Sequence, residues 1–136
     1  MRALLLLCLL FAQLVRAEGL LVIASPQVSV DSVTNEELAA IYLTQKKTWP
    51  GGLSVVPVNR EAASRVRERF SLTVLERTPR EMADYWNRLR FQGKLPPLVQ
   101  TSDQAVLGFV RSVPGAVGYI EVSQATTGVK ILKNLP

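Results

Sequence analysis

The sequence predicts an α/β domain with a mixed sheet flanked by helices. Short apolar runs typical of buried strands alternate with amphipathic stretches of helical period, and capping residues precede those stretches. The element order is that of an α/β domain, and the last two strand-like runs lie close enough in sequence to pair as a hairpin. The sheet is therefore expected to be mixed.

The first 17 residues are typical of a cleavable secretory signal. Arg2 supplies a charged start, residues 3–11 form an apolar core, and Val15-Arg16-Ala17 is a small-residue cleavage site ahead of Glu18. We therefore expect export to the periplasm.

A membrane anchor is the competing interpretation of this segment. Its apolar core is shorter than the roughly 20 residues that a spanning helix needs. Cys8 does not indicate a lipoprotein, because it follows Leu7, where a small residue is required. The sequence thus predicts one domain over residues 18–136 that does not span the membrane after signal cleavage.

The expected mature chain contains neither cysteine nor histidine, and its net charge falls from +5 to +3 when the two signal arginines are removed. The composition excludes thiol chemistry and Ser-His triads, and removes the commonest metal ligand. The carboxylates show no spacing that singles out an acid/base pair. We therefore expect no enzymatic activity, no cofactor and no metal. Export and the lack of aromatics among the basic residues disfavour nucleic acid as a partner.

A strand and a helix open the predicted domain. The apolar run over residues 19–24, closed by Ser25-Pro26, predicts a buried strand. Thr34 and Glu37 form a capping box ahead of a helix that extends through about Leu43.

A turn, a strand and a second helix come next. Trp49-Pro50-Gly51-Gly52 predicts the turn, Val55–Asn59 the strand, and residues 62–75 the helix. The apolar stripe of that helix is expected to consist of Val66, Phe70 and Val74.

Two further helices and two strands complete the chain. Thr78 caps a helix that ends at Gly93, and Thr101 or Ser102 caps another that stops at Pro114-Gly115. The last two predicted strands are Ala116–Val122 and Val129–Leu132.

The junction after the second strand carries the candidate site. Arg60 and Ser64 fall where the strand meets a helix N-terminus, whose N–H groups lack intrahelical partners and carry partial positive charge. A hydroxyl and a guanidinium there can complete an oxyanion cradle. Two alternatives stay open: Arg60 paired with Glu61 or Glu68, and Ser64 acting only as a helix cap.

Four segments in the same order resemble the periplasmic phosphate-binding proteins of ABC transporters. Arg60, Glu61, Ser64 and Phe70 match that family's anion loop, which has Arg, an acidic residue, Ser-Gly-Thr and then an aromatic residue. The other matching segments are Glu37–Leu43 with the Trp turn after it, residues 85–97, and Val113–Ile120.

The resemblance implies a single-lobe periplasmic-binding-protein-like fold, because the match corresponds mostly to one lobe of a two-lobed protein. It also implies reversible binding of phosphate or a similar oxyanion by Arg60 and Ser64, with an inner-membrane transporter or sensor protein as partner. Arg65 and Val66 depart from the pattern, since they replace its Gly and Thr. They favour the alternative, a degenerate single-lobe interaction or sensory accessory module without ligand binding.

Overall fold

A computed structural model describes residues 19–136 of the chain. The predicted signal, residues 1–17, lies outside the described residues. Within them, no helix is both long and apolar enough to cross a bilayer. The strands and α-helices are β1 (Leu20–Ala24), α1 (Asn35–Tyr42), β2 (Val56–Arg60), α2 (Arg65–Phe70), α3 (Pro79–Arg90), β3 (Leu98–Gln100), α4 (Asp103–Ser112), β4 (Ala116–Glu121) and β5 (Lys130–Leu135).

The strands form one mixed sheet in the order β3-β2-β4-β1-β5. β2 runs parallel to β3 and β4, and β1 runs antiparallel to β4 and β5. The predicted α/β class with a mixed sheet is therefore confirmed. The expected hairpin between the last two strands is wrong, because β1 lies between them and pairs with both. All five residues of β1 are apolar and buried, which suits a strand with neighbours on both sides.

β3 is a strand that the sequence pattern does not predict. It has three residues and follows Pro96-Pro97, so it is too short to show an alternating pattern. It lies at the edge of the sheet, where a preceding proline removes no hydrogen bond between strands.

Different helices cover the two faces of the sheet. Leu20 and Val22 of β1 pack in one hydrophobic cluster with residues of α1 and α2. Leu21 and Ile23 pack in a second cluster with residues of α4. This alternation follows from the two-residue period of a strand, and it fixes α2 and α4 on opposite faces.

The predicted helix over residues 62–75 is present in two parts. α2 begins after Ser64, and the chain then passes into a π-helical turn, Ser71–Leu75, that ends at Glu76 with φ 54°. The predicted apolar stripe is buried as expected: Val66, Phe70 and Val74. The predicted caps each accept a main-chain N–H: Thr34, Thr78 and Ser102.

Three aromatic rings fasten α1 and α2 to the sheet. Phe70 stacks on Tyr119 of β4 with ring centroids 3.9 Å apart, and Tyr42 meets Phe70 edge-on at 4.6 Å. The Tyr42 hydroxyl donates to the Val58 carbonyl at 2.8 Å. These contacts hold the end of β2 in place beneath α2.

Candidate functional site at the Arg60 junction

The predicted site lies at the end of the sheet where the carboxyl ends of three parallel strands come together. β2 ends at Arg60, β3 at Gln100 and β4 at Glu121. In open α/β sheets, ligands bind outside the carboxyl ends of parallel strands, so the position suits a binding site. α2 follows β2 and α4 follows β3, so the N-termini of both helices lie at the same end of the sheet.

Ser64 occupies the N-cap of α2, as one of the two interpretations of this residue requires. Its Oγ accepts hydrogen bonds from the amides of Val66 at 3.1 Å and Arg67 at 3.4 Å. The residue is 9% exposed. Two of the helix amides that could face an anion are therefore already satisfied by the cap.

Arg60 is engaged by two carboxylates. Its Nε and Nη2 donate to the two oxygens of Glu61 at 3.0 and 3.1 Å, and its Nη1 donates to Asp103 Oδ1 at 2.6 Å. A longer contact of 3.5 Å runs from Nη2 to the carbonyl of Thr101. The Arg60 side chain is 12% exposed, so these contacts take up most of its donor capacity in a largely buried position.

The two acidic partners differ in how firmly they are held. Glu61 is at the surface, with a side chain 35% exposed, whereas that of Asp103 is 10% exposed. Asp103 Oδ2 also accepts the main-chain N–H of Glu121 at 3.1 Å. Asp103 is therefore fixed from two sides, while Glu61 faces solvent.

The electrostatics of the junction agree with this pairing. The hydrogen bonds that Arg60 donates to Glu61 raise the pKa of Arg60, and the same bonds lower the pKa of Glu61. Both shifts favour the charged forms, so the guanidinium and the carboxylate stay ionised together.

The main chain of Arg60 is occupied as well. Its N–H donates to the Tyr119 hydroxyl and to Asn59 Oδ1, each at 3.2 Å. Its carbonyl accepts from Nη1 of Arg67 at 3.0 Å. The Tyr119 hydroxyl in turn donates to Asn59 Oδ1. The end of β2 is thus a closed hydrogen-bond network.

The donors that remain lie in the turn between β2 and α2. Among residues 19–136, the amides of Ala62, Ala63 and Arg65 have no hydrogen-bond acceptor, and all three residues are exposed. Val66 is buried and contributes no hydroxyl. An anion arriving from solvent would meet these amides beside the carboxylate of Glu61.

A small cavity lies beside the end of β2. Its volume is about 10 Å³, enough for about one water molecule, and Asn59, Arg67 and Phe70 are in its lining. Neither Arg60 nor Ser64 lines this cavity, so it is not part of the candidate anion site. No cluster of three or more acidic, histidine or cysteine side chains that could hold a metal lies within residues 19–136.

Sequence reasoning places Arg60 and Ser64 correctly at the junction and considers Glu61 as a partner. It misses Asp103, because only the parallel pairing of β2 with β3 brings α4 beside Arg60. The sequence does show an acidic residue, Asp103, directly after the cap Ser102. Without β3, however, the sequence does not indicate that this residue lies near Arg60. Glu68, the other carboxylate considered, forms no ion pair with Arg60.

The fold matches solved phosphate-binding proteins. An ABC-type phosphate transport receptor from Vibrio cholerae superimposes with a TM-score of 0.67 at 22% identity, over 85% of this chain and 45% of that one. PstS from Borrelia burgdorferi gives a TM-score of 0.66 at 20% identity, over 85% of this chain and 46% of that one. No protein-family model matches the chain.

This chain therefore spans somewhat less than half the length of these two proteins. The predicted periplasmic-binding-protein-like fold is confirmed, and at this identity the likeness concerns the fold. A shared fold does not carry an activity with it.

Proposed function

We propose that this protein is an exported, non-enzymatic module with the phosphate-binding-protein fold that acts by contacting another protein. In this proposal, the contacts of Arg60 stabilise the fold and do not bind a ligand. The partner would be an inner-membrane transporter or a sensor protein, the two classes that suit an exported solute-binding fold.

The observation that carries the proposal is the contact of Arg60 with both Glu61 and Asp103. Arg60 can bind an oxyanion only with donors that its carboxylate partners leave free, and the negative charge of those carboxylates disfavours an anion beside it. The Glu61 side chain is 35% exposed and can swing away, but that of Asp103 is only 10% exposed and is held by the Glu121 amide. Arg60 therefore remains paired even when Glu61 leaves.

A second candidate function is weak capture of phosphate or a similar oxyanion. It is favoured by the exposed amides of Ala62, Ala63 and Arg65, which have no acceptor among the described residues. Such a site would be open and wet, so its affinity would be modest.

A calorimetric titration with inorganic phosphate separates the two candidates. We expect no saturable heat up to millimolar phosphate. Saturable binding that is lost in Arg60→Ala would overturn the interaction role as the sole function and would establish the oxyanion site.

A paired variant tests whether the two carboxylates prevent Arg60 from binding phosphate. Glu61→Gln with Asp103→Asn leaves Arg60 in place but removes both negative charges, so it should acquire measurable phosphate binding. Circular dichroism must first show that the variant is folded. A folded double variant that still ignores phosphate would show that the pairing is not what prevents binding.

The export part of the proposal has its own measurement. The protein recovered from a periplasmic extract should begin at Glu18 on N-terminal sequencing. An intact start at Met1 would contradict signal cleavage.

The interaction role is tested by cross-linking in cells. A protein captured in this way and then purified should bind this protein again with a saturable isotherm. Failure of every captured protein to rebind would reject it.

A further inference from the structure

The exposed apolar side chains of the protein are concentrated in one short segment. Among the described residues, six large hydrophobic side chains are exposed, and four of them fall within residues 91–99. Phe91 is 95% exposed and Leu95 75%, while Leu98 and Val99 are 53% and 50% exposed. So many exposed large apolar side chains within nine residues favour a contact with another molecule over scattered surface exposure.

The charges of this segment are of one sign. Residues 87–99 contain the exposed cations Arg88, Arg90 and Lys94 and no acidic residue. None of the three forms an ion pair within residues 19–136. The exposed apolar side chains are thus accompanied by unpaired positive charge, which complements a partner carrying negative charge.

The same segment contains an open sheet edge. β3 pairs with β2 on one side and with no described strand on the other. Its main chain therefore presents N–H and C=O groups outward that another strand can pair with. The opposite edge strand, β5, carries Lys130 and Lys133, which discourage such pairing. β3 has no charged residue.

The backbone that leads to β3 is already restricted. Pro96 and Pro97 fix their own φ angles and hold the residues before them in extended conformations. Little conformational entropy is then lost when a partner binds here, which favours association.

Two other occupants fit this surface less well. A lipid bilayer would satisfy the apolar and cationic side chains, but hydrocarbon offers no partners to the outward main-chain groups of β3. A second copy of the chain, joined edge to edge, would bring Arg88, Arg90 and Lys94 close to their own images. Like charges across an interface oppose association.

We propose that residues 88–99 form a docking surface for an extended segment of a partner protein that is both apolar and acidic and adds as a strand beside β3. The inference rests on the proposed interaction role and names the contact chemistry of its partner. The apolar side chains of the partner's segment cover Phe91 and Leu95 of this protein. Its carboxylates meet Arg90 and Lys94, and its main chain pairs with β3.

The test uses a short synthetic peptide that alternates isoleucine with glutamate, added to the folded protein. Fluorescence anisotropy of a labelled peptide should show saturable binding. Hydrogen exchange followed by NMR should show slower exchange of the amides in Leu98–Gln100. Phe91→Ser with Leu95→Ser should weaken binding by about tenfold or more, equivalent to about 1.4 kcal/mol. Both residues are so exposed that folding should be unaffected.

Matched controls lie elsewhere on the chain. Leu72→Ser and Ile131→Ser remove exposed apolar side chains, 47% and 46% exposed, outside the docking surface. They should leave the affinity unchanged. A peptide with lysine in place of glutamate should not bind, and one interrupted by proline should lose the protection of β3.

Each competing outcome overturns the inference in a recognisable way. Binding to phosphatidylglycerol vesicles that depends on Phe91, without peptide binding, would assign the surface to lipid. Concentration-dependent dimers in sedimentation that disappear in the Phe91→Ser variant would assign it to a second copy. A cross-linked partner whose rebinding ignores the double serine variant would reject this surface and leave the interaction role standing. Saturable phosphate binding at Arg60 would count against that role without deciding the peptide result.

Discussion

Arg60 and Asp103 are joined across the carboxyl ends of two parallel strands, with Nη1 of the arginine 2.6 Å from Oδ1 of the aspartate. The residues are 43 positions apart, and their side chains are only 12% and 10% exposed. Asp103 continues the connection to the amide of Glu121 at the end of β4. One carboxylate thus ties α4 to two strands of the sheet.

Removing the charge of Asp103 should destabilise the fold. Asp103→Asn weakens the contact with Arg60 and should lower the free energy of unfolding by about 1–3 kcal/mol, as for hydrogen bonds to charged groups. Urea unfolding measures the change. Arg65→Ala, an exposed arginine without an ion pair in residues 19–136, should stay within about 0.5 kcal/mol of the wild type. Equal urea midpoints for wild type and Asp103→Asn would show that the contact contributes nothing.

Stability should fall in acid partly because of Glu61. Its pKa lies below the ordinary value of 4.5 in the folded chain, because Arg60 hydrogen-bonds the ionised carboxylate. The unfolded chain therefore takes up the proton first as the pH falls below 4.5. This contribution is complete above pH 4.5 and is lost as the pH passes down through the folded pKa. Urea midpoints measured against pH should show it.

Two variants isolate that contribution. Glu61→Gln and Arg60→Gln should both give a shallower loss of stability below pH 4.5, because each removes the pairing of guanidinium with ionised carboxylate. An acid slope in Glu61→Gln as steep as that of the wild type would contradict the assignment.

The protein should also lose stability in base. Burial raises the pKa of Tyr42 and of Tyr119 above the ordinary value of 10.0. The unfolded chain then loses these protons first, so the stabilisation is complete below pH 10 and declines above it. As the pH rises, tyrosinate absorbance should increase together with the loss of the folded circular dichroism signal. The stability of Tyr119→Phe should decline less steeply with rising pH than that of the wild type. Ionisation of all three tyrosines in a chain that keeps its folded spectrum would refute this.

Two glycines should respond to alanine in opposite directions. Gly115 has φ +83°, and a Cβ there would lie 1.9 Å from the carbonyl oxygen of Ser54. Gly115→Ala should cost more than about 2 kcal/mol, since it combines backbone strain with a collision against main chain. Gly108 lies in α4 with open space around it, so Gly108→Ala should stabilise by about 0.5–1 kcal/mol. Thermal unfolding of the two variants beside the wild type measures both changes in stability. An unchanged stability of Gly115→Ala would be incompatible with the close approach of residue 115 to the carbonyl oxygen of Ser54.

The sequence was sufficient for features whose causes are local. The capping box at Thr34, the cap at Thr78 and the buried stripe of α2 depend on residues a few positions apart. The position of Arg60 at a strand-helix junction followed in the same way. The resemblance in four segments identified the fold, because each motif could be read without knowing its neighbours in space.

What escaped prediction depends on contacts between distant parts of the chain. β3 has three residues and gains its identity only by pairing with β2. Without it, α4 could not be placed beside the junction, and Asp103 remained unrecognised as the second partner of Arg60. The hairpin expected for the last two strands failed for a similar reason, since β1, which is distant in sequence, pairs between them.

The position of β1 also affects the timing of folding. β1, the first described strand, pairs with β4 and β5, which follow it by about 90 residues or more. The centre of the sheet therefore cannot close until β4 and β5 have left the ribosome. Pairing over such sequence separations is slow, so the centre of the sheet is expected to form late in folding.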